Sequence, residues 1–114
     1  MIPPRWEDPR RYNSYMPLPP KLSTEEIASA IAGLEGWDLQ DGKLHREYAF
    51  ADFTHAFGFM AAAATRIEAA NHHPEWFNVY GKIVVDLATH DAGGVTQYDV
   101  DLARTLESIA GKLL

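Results

Sequence analysis

The chain contains no cysteine. Disulfide staples, a thiol nucleophile and thiolate metal ligands are therefore excluded. No uninterrupted apolar run approaches the ~18 residues needed to cross a bilayer. The start, M-I-P-P-R-W-E-D, lacks the apolar core of a signal peptide. A cytoplasmic protein with no membrane partner is the expectation. Positive charge is scarce too: ten Lys and Arg stand against sixteen Asp and Glu, a formal net charge of −6. The basic residues are scattered, and four of them (Arg5, Arg10, Arg11 and Lys21) lie near the N-terminus. Nucleic-acid affinity comes from concentrated phosphate contacts, so direct nucleic-acid binding is not expected. After residue 20, proline is almost absent, and only Pro74 remains of seven.

What is present fits one domain of 114 residues with a single core. Pro3, Pro4, Pro9, Pro17, Pro19 and Pro20 crowd the first segment. They exclude helix and central strand there and favour extended backbone. Residues 1–22 therefore read as a Pro-rich extension and residues 23–114 as the domain. A purely solvating tail would seldom carry Trp6, Tyr12, Tyr15 and Met16. Docking of the extension on the domain or on a neighbouring subunit is the alternative to a disordered tail.

The domain punctuates itself clearly. Ser23 with Glu26 reads as a capping box opening a helix over 23–33, with Ile27, Ile31 and Leu34 apolar. Asp41-Gly42 is a hairpin signal between two strands. In the second strand Leu44, Arg46, Tyr48 and Phe50 share a face. Asp52 caps a long helix over 53–71. Phe53, Ala56, Phe57, Met60, Ala63, Ala64 and Ile67 make its apolar stripe, and Phe59, Ala61, Ala62 and Ala69 make the other side apolar as well. That second side is expected to be a subunit interface. Pro74 disfavours helix at His73. A second hairpin follows around Gly81, with Ile83, Val85 and Leu87 on one face. Thr96 and Asp99 form the cap of a last helix over 96–112. The order α-β-β-α-β-β-α, with two hairpins, predicts an α+β two-layer sandwich. A four-stranded antiparallel sheet would carry three helices on one face.

Two adjacent histidines before a proline are hard to explain by packing. Glu68, His72, His73, Pro74 and Tyr80, followed by Thr89-His90-Asp91, form a long and unequally spaced motif. Gly36-Trp37, Phe57-Gly58-Phe59-Met60 and Pro74-Glu75-Trp76-Phe77-Asn78-Val79-Tyr80 extend it. In these features the chain resembles the pterin-4a-carbinolamine dehydratases from about Ser23 onward. Residues 1–20 have no counterpart in that likeness.

The resemblance implies the same α+β fold and a lyase that removes water from a 4a-hydroxytetrahydropterin to give the quinonoid dihydropterin. The tetrahydropterin of an aromatic amino acid hydroxylase would thereby be recycled. Histidine gives and takes protons near neutral pH, and no metal or redox cofactor is implied. His72 and His90 become candidate proton donors and acceptors, and His73 mainly positions the pterin. Glu68 lies one turn before His72 and could orient an imidazole or accept hydrogen bonds from the pterin. Asn71 stands where family members often carry an acid. Asp91 completes the T-H-D match. Asp99 also matches a family position, although capping is its simplest role. Trp37 reads equally as core or as pocket wall, while His45 and His55 read as structural or solvated.

Two other functions compete with this one. Three histidines and a carboxylate could bind zinc, but the H-E-x-x-H spacing is absent. A binding module is the other alternative, since animal members of the resembling family act as dimerisation cofactors of a transcription factor. The apolar outer side of helix 53–71 could serve that role or build a homodimer or homotetramer.

Overall fold

The computed structural model describes residues 18–114. Expectations about docking or disorder of residues 1–17 lie outside the described residues. Helix α1 (Thr24–Ile31) is opened by the Ser23 capping box, in which Glu26 N–H meets Ser23 Oγ and Ser23 N–H meets Glu26 Oε1. Strands β1 (Asp38–Gln40) and β2 (Lys43–Ala49) flank the Asp41-Gly42 turn. Both turn residues have positive φ, 51° and 76°, as the two-residue turn that matches strand twist requires. Helix α2 (Phe53–Ala70) starts at the Asp52 cap. Strands β3 (Glu75–Val79) and β4 (Lys82–Leu87) form the second hairpin, and α3 (Gln97–Ala110) closes the chain from the Thr96–Asp99 capping box.

The α+β prediction holds: among the described residues three α-helices accompany one antiparallel sheet, in the strand order β1-β2-β4-β3. Pairing of β2 with β4 places Leu44 opposite Leu87 and Tyr48 opposite Ile83. The alternation of β4 is strict, with Ile83, Val85 and Leu87 buried between half-exposed neighbours. These side chains meet Ile27 of α1, Phe59 and Ala63 of α2, and Leu106 of α3 in one core. Complete burial of such a side chain contributes roughly 1.5–3 kcal/mol. Gly81 is required at its turn, because a Cβ there would lie 2.6 Å from the Phe50 carbonyl oxygen.

The apolar stripe of α2 needs correction. Ala56, Phe59, Ala63 and Ile67 face the core, whereas Phe53, Phe57 and Ala64 are exposed. Both sets recur at helical spacing. The sheet receives the set containing Phe59, whose ring packs against Tyr48, Phe50 and Trp76.

A polar clamp ties α3 to the sheet. Glu107 Oε1 accepts from Trp37 Nε1 at 2.8 Å, Tyr48 Oη at 2.9 Å and Arg46 Nε at 3.2 Å. The Arg46 guanidinium also lies 4.2 Å from the Tyr48 ring centre. Burial, and then the Glu107 carboxylate, push the Tyr48 hydroxyl well above its ordinary pKa, so it stays a donor at any physiological pH. Glu107→Ala strands these donors, and an unsatisfied buried donor costs about 1–3 kcal/mol. We expect a loss of about 3 kcal/mol in urea unfolding at unchanged m-value; a loss within error of zero would refute the clamp.

On the opposite sheet face His45 joins β2 to β4. Its Nδ1 is 2.8 Å from Asp86 Oδ1 and its Nε2 3.1 Å from Glu47 Oε2. Only the imidazolium donates from both nitrogens. The Asp86 hydrogen bond first, and Glu47 second, raise the His45 pKa above its ordinary 6.5. The group binds its proton more tightly when folded. Its stabilisation is complete below about 6.5 and disappears as pH rises through the higher folded-state value. The stability of wild type relative to His45→Gln should therefore decline from about pH 6 towards pH 9. A difference independent of pH would contradict this.

Candidate functional site

Helix α2 ends where the sequence stops it. Asn71 takes the left-handed conformation, φ 51° and ψ 38°, and its N–H bonds the Glu68 carbonyl at 3.2 Å. Asparagine tolerates this geometry better than most residues. Pro74 cannot continue the helix, so His72 and His73 leave it and β3 begins at Glu75. The β3–β4 hairpin brings the chain back, with Glu75 opposite Asp86. Beyond β4, Thr89 and Gly94 exchange backbone hydrogen bonds of 2.9 and 3.3 Å and close a loop around the short turn His90–Ala92. Two segments far apart in sequence thus meet.

Between them lies a cavity of about 230 Å³, where His72, His73, His90, Asn71 and Asp91 meet Tyr98. That volume is below the roughly 300–1,000 Å³ of sites for drug-sized ligands, and suits a single small ring system. A larger hollow of about 430 Å³ lies between α2 and α3, but shares only His72 with the candidate residues.

Of the three cavity histidines, His72 is the most constrained. Its Nε2 lies 2.6 Å from Asp99 Oδ1, and its ring centre is 5.8 Å from that of Tyr98. Asp99 is completely buried. Its Oδ2 accepts from the Thr89 hydroxyl at 2.8 Å and from Thr96 N–H at 2.9 Å. The Thr89 and Thr96 hydroxyls are 2.7 Å apart. Since Thr89 gives its proton to Asp99, Thr96 donates to Thr89. Both carboxylate oxygens are satisfied, and the cap of α3 doubles as the anchor of His72.

The other two imidazoles are exposed. His73 Nε2 lies 3.9 Å from Glu68 Oε2, and His90 Nε2 lies 3.7 Å from Glu75 Oε1. Glu75 Oε1 also accepts from Lys43 Nζ at 2.8 Å. That contact holds the Glu75 carboxyl below its ordinary pKa, so a negative charge stands beside His90. Asn71 Oδ1 is buried and has no hydrogen-bond partner among the described residues.

Not every sequence candidate reaches the cavity wall. Glu68 stands beside His73, and Asp99 lies behind His72. Trp37 is in the core, 5% exposed and bonded to Glu107; it does not line the cavity. Its indole N–H finds a carboxylate on α3, and this bond decides between the two readings of that residue. Tyr98, Thr89 and Glu75 were not singled out from sequence. Thr89 and Glu75 stood inside the recognised motif, next to His90 and Pro74. Tyr98 carried no signal beyond its place in the first turn of α3.

Comparison with known proteins bears on the family of the chain. The pattern of the family described as pterin 4 alpha carbinolamine dehydratase matches residues 20–109. A Solibacter usitatus (strain Ellin6076) protein, named provisionally for that dehydratase, is 59% identical over 90 residues, or 79% of this chain and 95% of its own. A similarly named protein of Paraburkholderia xenovorans (strain LB400) is 48% identical over 91 residues, or 78% of this chain and 95% of its own. A crystal structure from Brucella melitensis, described as a transcriptional coactivator/pterin dehydratase, is 46% identical with a TM-score of 0.77. It covers 80% of this chain and 99% of that one. A pterin dehydratase-like RuBisCO assembly factor of the α-carboxysome, 20% identical with a TM-score of 0.59 over 68% of this chain and 93% of its own, shares the fold alone. With all three cavity histidines inside the matched segment, and relatives this similar over nearly their whole length, the chain belongs to the pterin-4a-carbinolamine dehydratase family.

Proposed function

We propose that this chain is a hydro-lyase acting on 4a-hydroxytetrahydropterin. The observation that carries the reading is the meeting of His72, His73 and His90 on one cavity, with His72 anchored by a buried carboxylate. The elimination needs two proton movements. The C4a–O bond breaks as the hydroxyl takes a proton and leaves as water. N5 gives up its proton, and its electron pair forms the C4a=N5 bond of the quinonoid dihydropterin. No electron enters or leaves, so acid-base groups suffice.

Asp99 accepts from His72 Nε2, which leaves Nδ1 as the nitrogen free to take or give a proton. His90 is the second proton-transfer group, with the Glu75 charge beside it. His73 positions the pterin. Asn71 lines the same cavity and contributes to binding the pterin. Glu68 and Asp91 add negative charge at the same rim. The substrate would come from an aromatic amino acid hydroxylase in the cytoplasm, and the product would return to it after reduction.

A second reading rests on the exposed side of α2. The Phe53 and Phe57 rings lie 5.8 Å apart on the surface, tilted by 42°, and both are more than half exposed. A homodimer or homotetramer would cover them. The Brucella relative's description as a coactivator makes partner binding through this side the alternative function, compatible with an intact cavity.

His72→Ala should slow dehydration by about 10²–10⁴-fold relative to wild type, followed by stopped flow on freshly generated substrate. His90→Ala should act likewise, His73→Ala chiefly on KM, and His45→Gln on neither. Wild-type rates in both His72→Ala and His90→Ala would overturn the assignment. Asp99→Asn tests orientation separately. It should lower kcat with little change in KM, and remove an exchange-protected imidazole N–H signal of His72 from the proton spectrum. A variant that keeps both kcat and that signal would show Asp99 to be only a helix cap.

A further inference from the structure

One wall of the cavity comes from outside the family-matched segment. Leu18 lines it beside the histidines, whereas the family pattern begins only at residue 20. The chain from Leu18 is held in place. Leu22 N–H bonds the Val95 carbonyl at 2.8 Å. The Lys21 side chain lies over Gly94, so close that a Cβ on Gly94 would be 2.7 Å from Lys21 Cε. The approach of this segment therefore follows the loop that begins with His90. Between this anchor and Leu18 stand Pro19 and Pro20, whose fixed φ restricts the backbone. The position of Leu18 at the cavity is accordingly a preorganised one.

Its chemistry differs from that of its neighbours. Asn71, the three histidines, Thr89 and Asp91 bring polar groups to the lining. Among the described residues Leu18 is its one branched aliphatic side chain, and it is 56% exposed. Apolar surface left in water at the mouth of a cavity is surface that a ligand can cover. A pterin has a polar edge for the first group, apolar ring faces, and a variable substituent at C6. Leu18 offers nothing to a hydroxyl group, and it favours an alkyl group in contact with it.

Resting on the dehydratase reading, we propose that Leu18 is a specificity-determining residue of the site, packing on the bound pterin so that short alkyl substituents at C6 are preferred over polyhydroxylated chains. The residue acts in binding and takes no part in proton transfer.

The test uses the full-length chain and its Leu18→Ala and Leu18→Asn variants. Each would be assayed with 4a-hydroxytetrahydropterins bearing a 6-methyl or a 6-(1,2-dihydroxypropyl) group. Loss of a few methyl and methylene contacts corresponds to about a three- to tenfold rise in KM. That rise should appear for the 6-methyl substrate at unchanged kcat, and be smaller for the dihydroxypropyl one. Calorimetric binding of stable 6-methyl-7,8-dihydropterin should weaken in parallel. Unchanged KM and unchanged binding in both variants, while His72→Ala slows turnover as expected, would overturn the role of Leu18 and leave the dehydratase reading intact. Weakened binding in a protein that dehydrates neither substrate would overturn the dehydratase reading and retain Leu18 as a pterin contact. A fall in kcat at constant KM would also refute the proposal.

Discussion

Asp99 is a carboxylate with no access to solvent, and an isolated buried charge is among the least tolerable features of a fold. Its donors come from three separate places: His72 just after α2, Thr89 after β4, and Thr96 at the start of α3. Removing any one of them leaves part of the charge unpaired. The same contacts that make the carboxylate tolerable hold the end of α2, the loop after β4 and the start of α3 together. The cavity is the space between these three segments. Its architecture therefore follows from satisfying one buried group.

The sheet order makes that meeting geometrically available. In the order β1-β2-β4-β3, the last strand is interior and its partner β3 lies at the edge. Antiparallel pairing sets Glu75 opposite Asp86, so the residues just before β3 and just after β4 emerge at the same end. His72 and His73 precede β3, and His90 follows β4. A parallel connection would have placed them at opposite ends of the sheet. The exposed Lys43–Glu75 pair sits at this same end, and places a carboxylate beside His90. As an exposed pair it contributes little to stability, and its consequence is local charge.

The two ends of α3 make different attachments. Glu107, near the C-terminal end, gathers Trp37, Arg46 and Tyr48 and fastens the helix to the sheet. Asp99, in the first turn, fastens the helix to His72. One helix thus joins the candidate site to the core, through Asp99 to His72 and Thr89 at one end and through Glu107 to Arg46 and Tyr48 at the other. Helix α2 has a different double role. One side fills the core with Phe59, while the other presents Phe53 and Phe57 to solvent.

Local rules in the sequence were enough for the elements. The Ser23, Asp52 and Thr96 caps, the Asp41-Gly42 turn, the alternation of β4 and the break at Pro74 each act over a few residues. Their structures follow within a residue or two. The His72-His73-Pro74 and Thr89-His90-Asp91 motifs marked the candidate site for the same reason, as compact words in the chain whose histidines line one cavity. Choices between equivalent options needed the tertiary structure. Both sides of α2 satisfied helical periodicity, and only packing against Tyr48 and Phe50 selected the side with Phe59. Trp37 was suited to core or cavity until Glu107, 70 positions away, supplied a partner for its indole. Asp99 looked like a cap and is one, but its second oxygen belongs to His72, a bond across 27 positions. Leu18 carried no signal at all. Its place at the cavity depends on Leu22 pairing with Val95, and long-range pairings of this kind are set by three-dimensional closure, to which local propensity is blind.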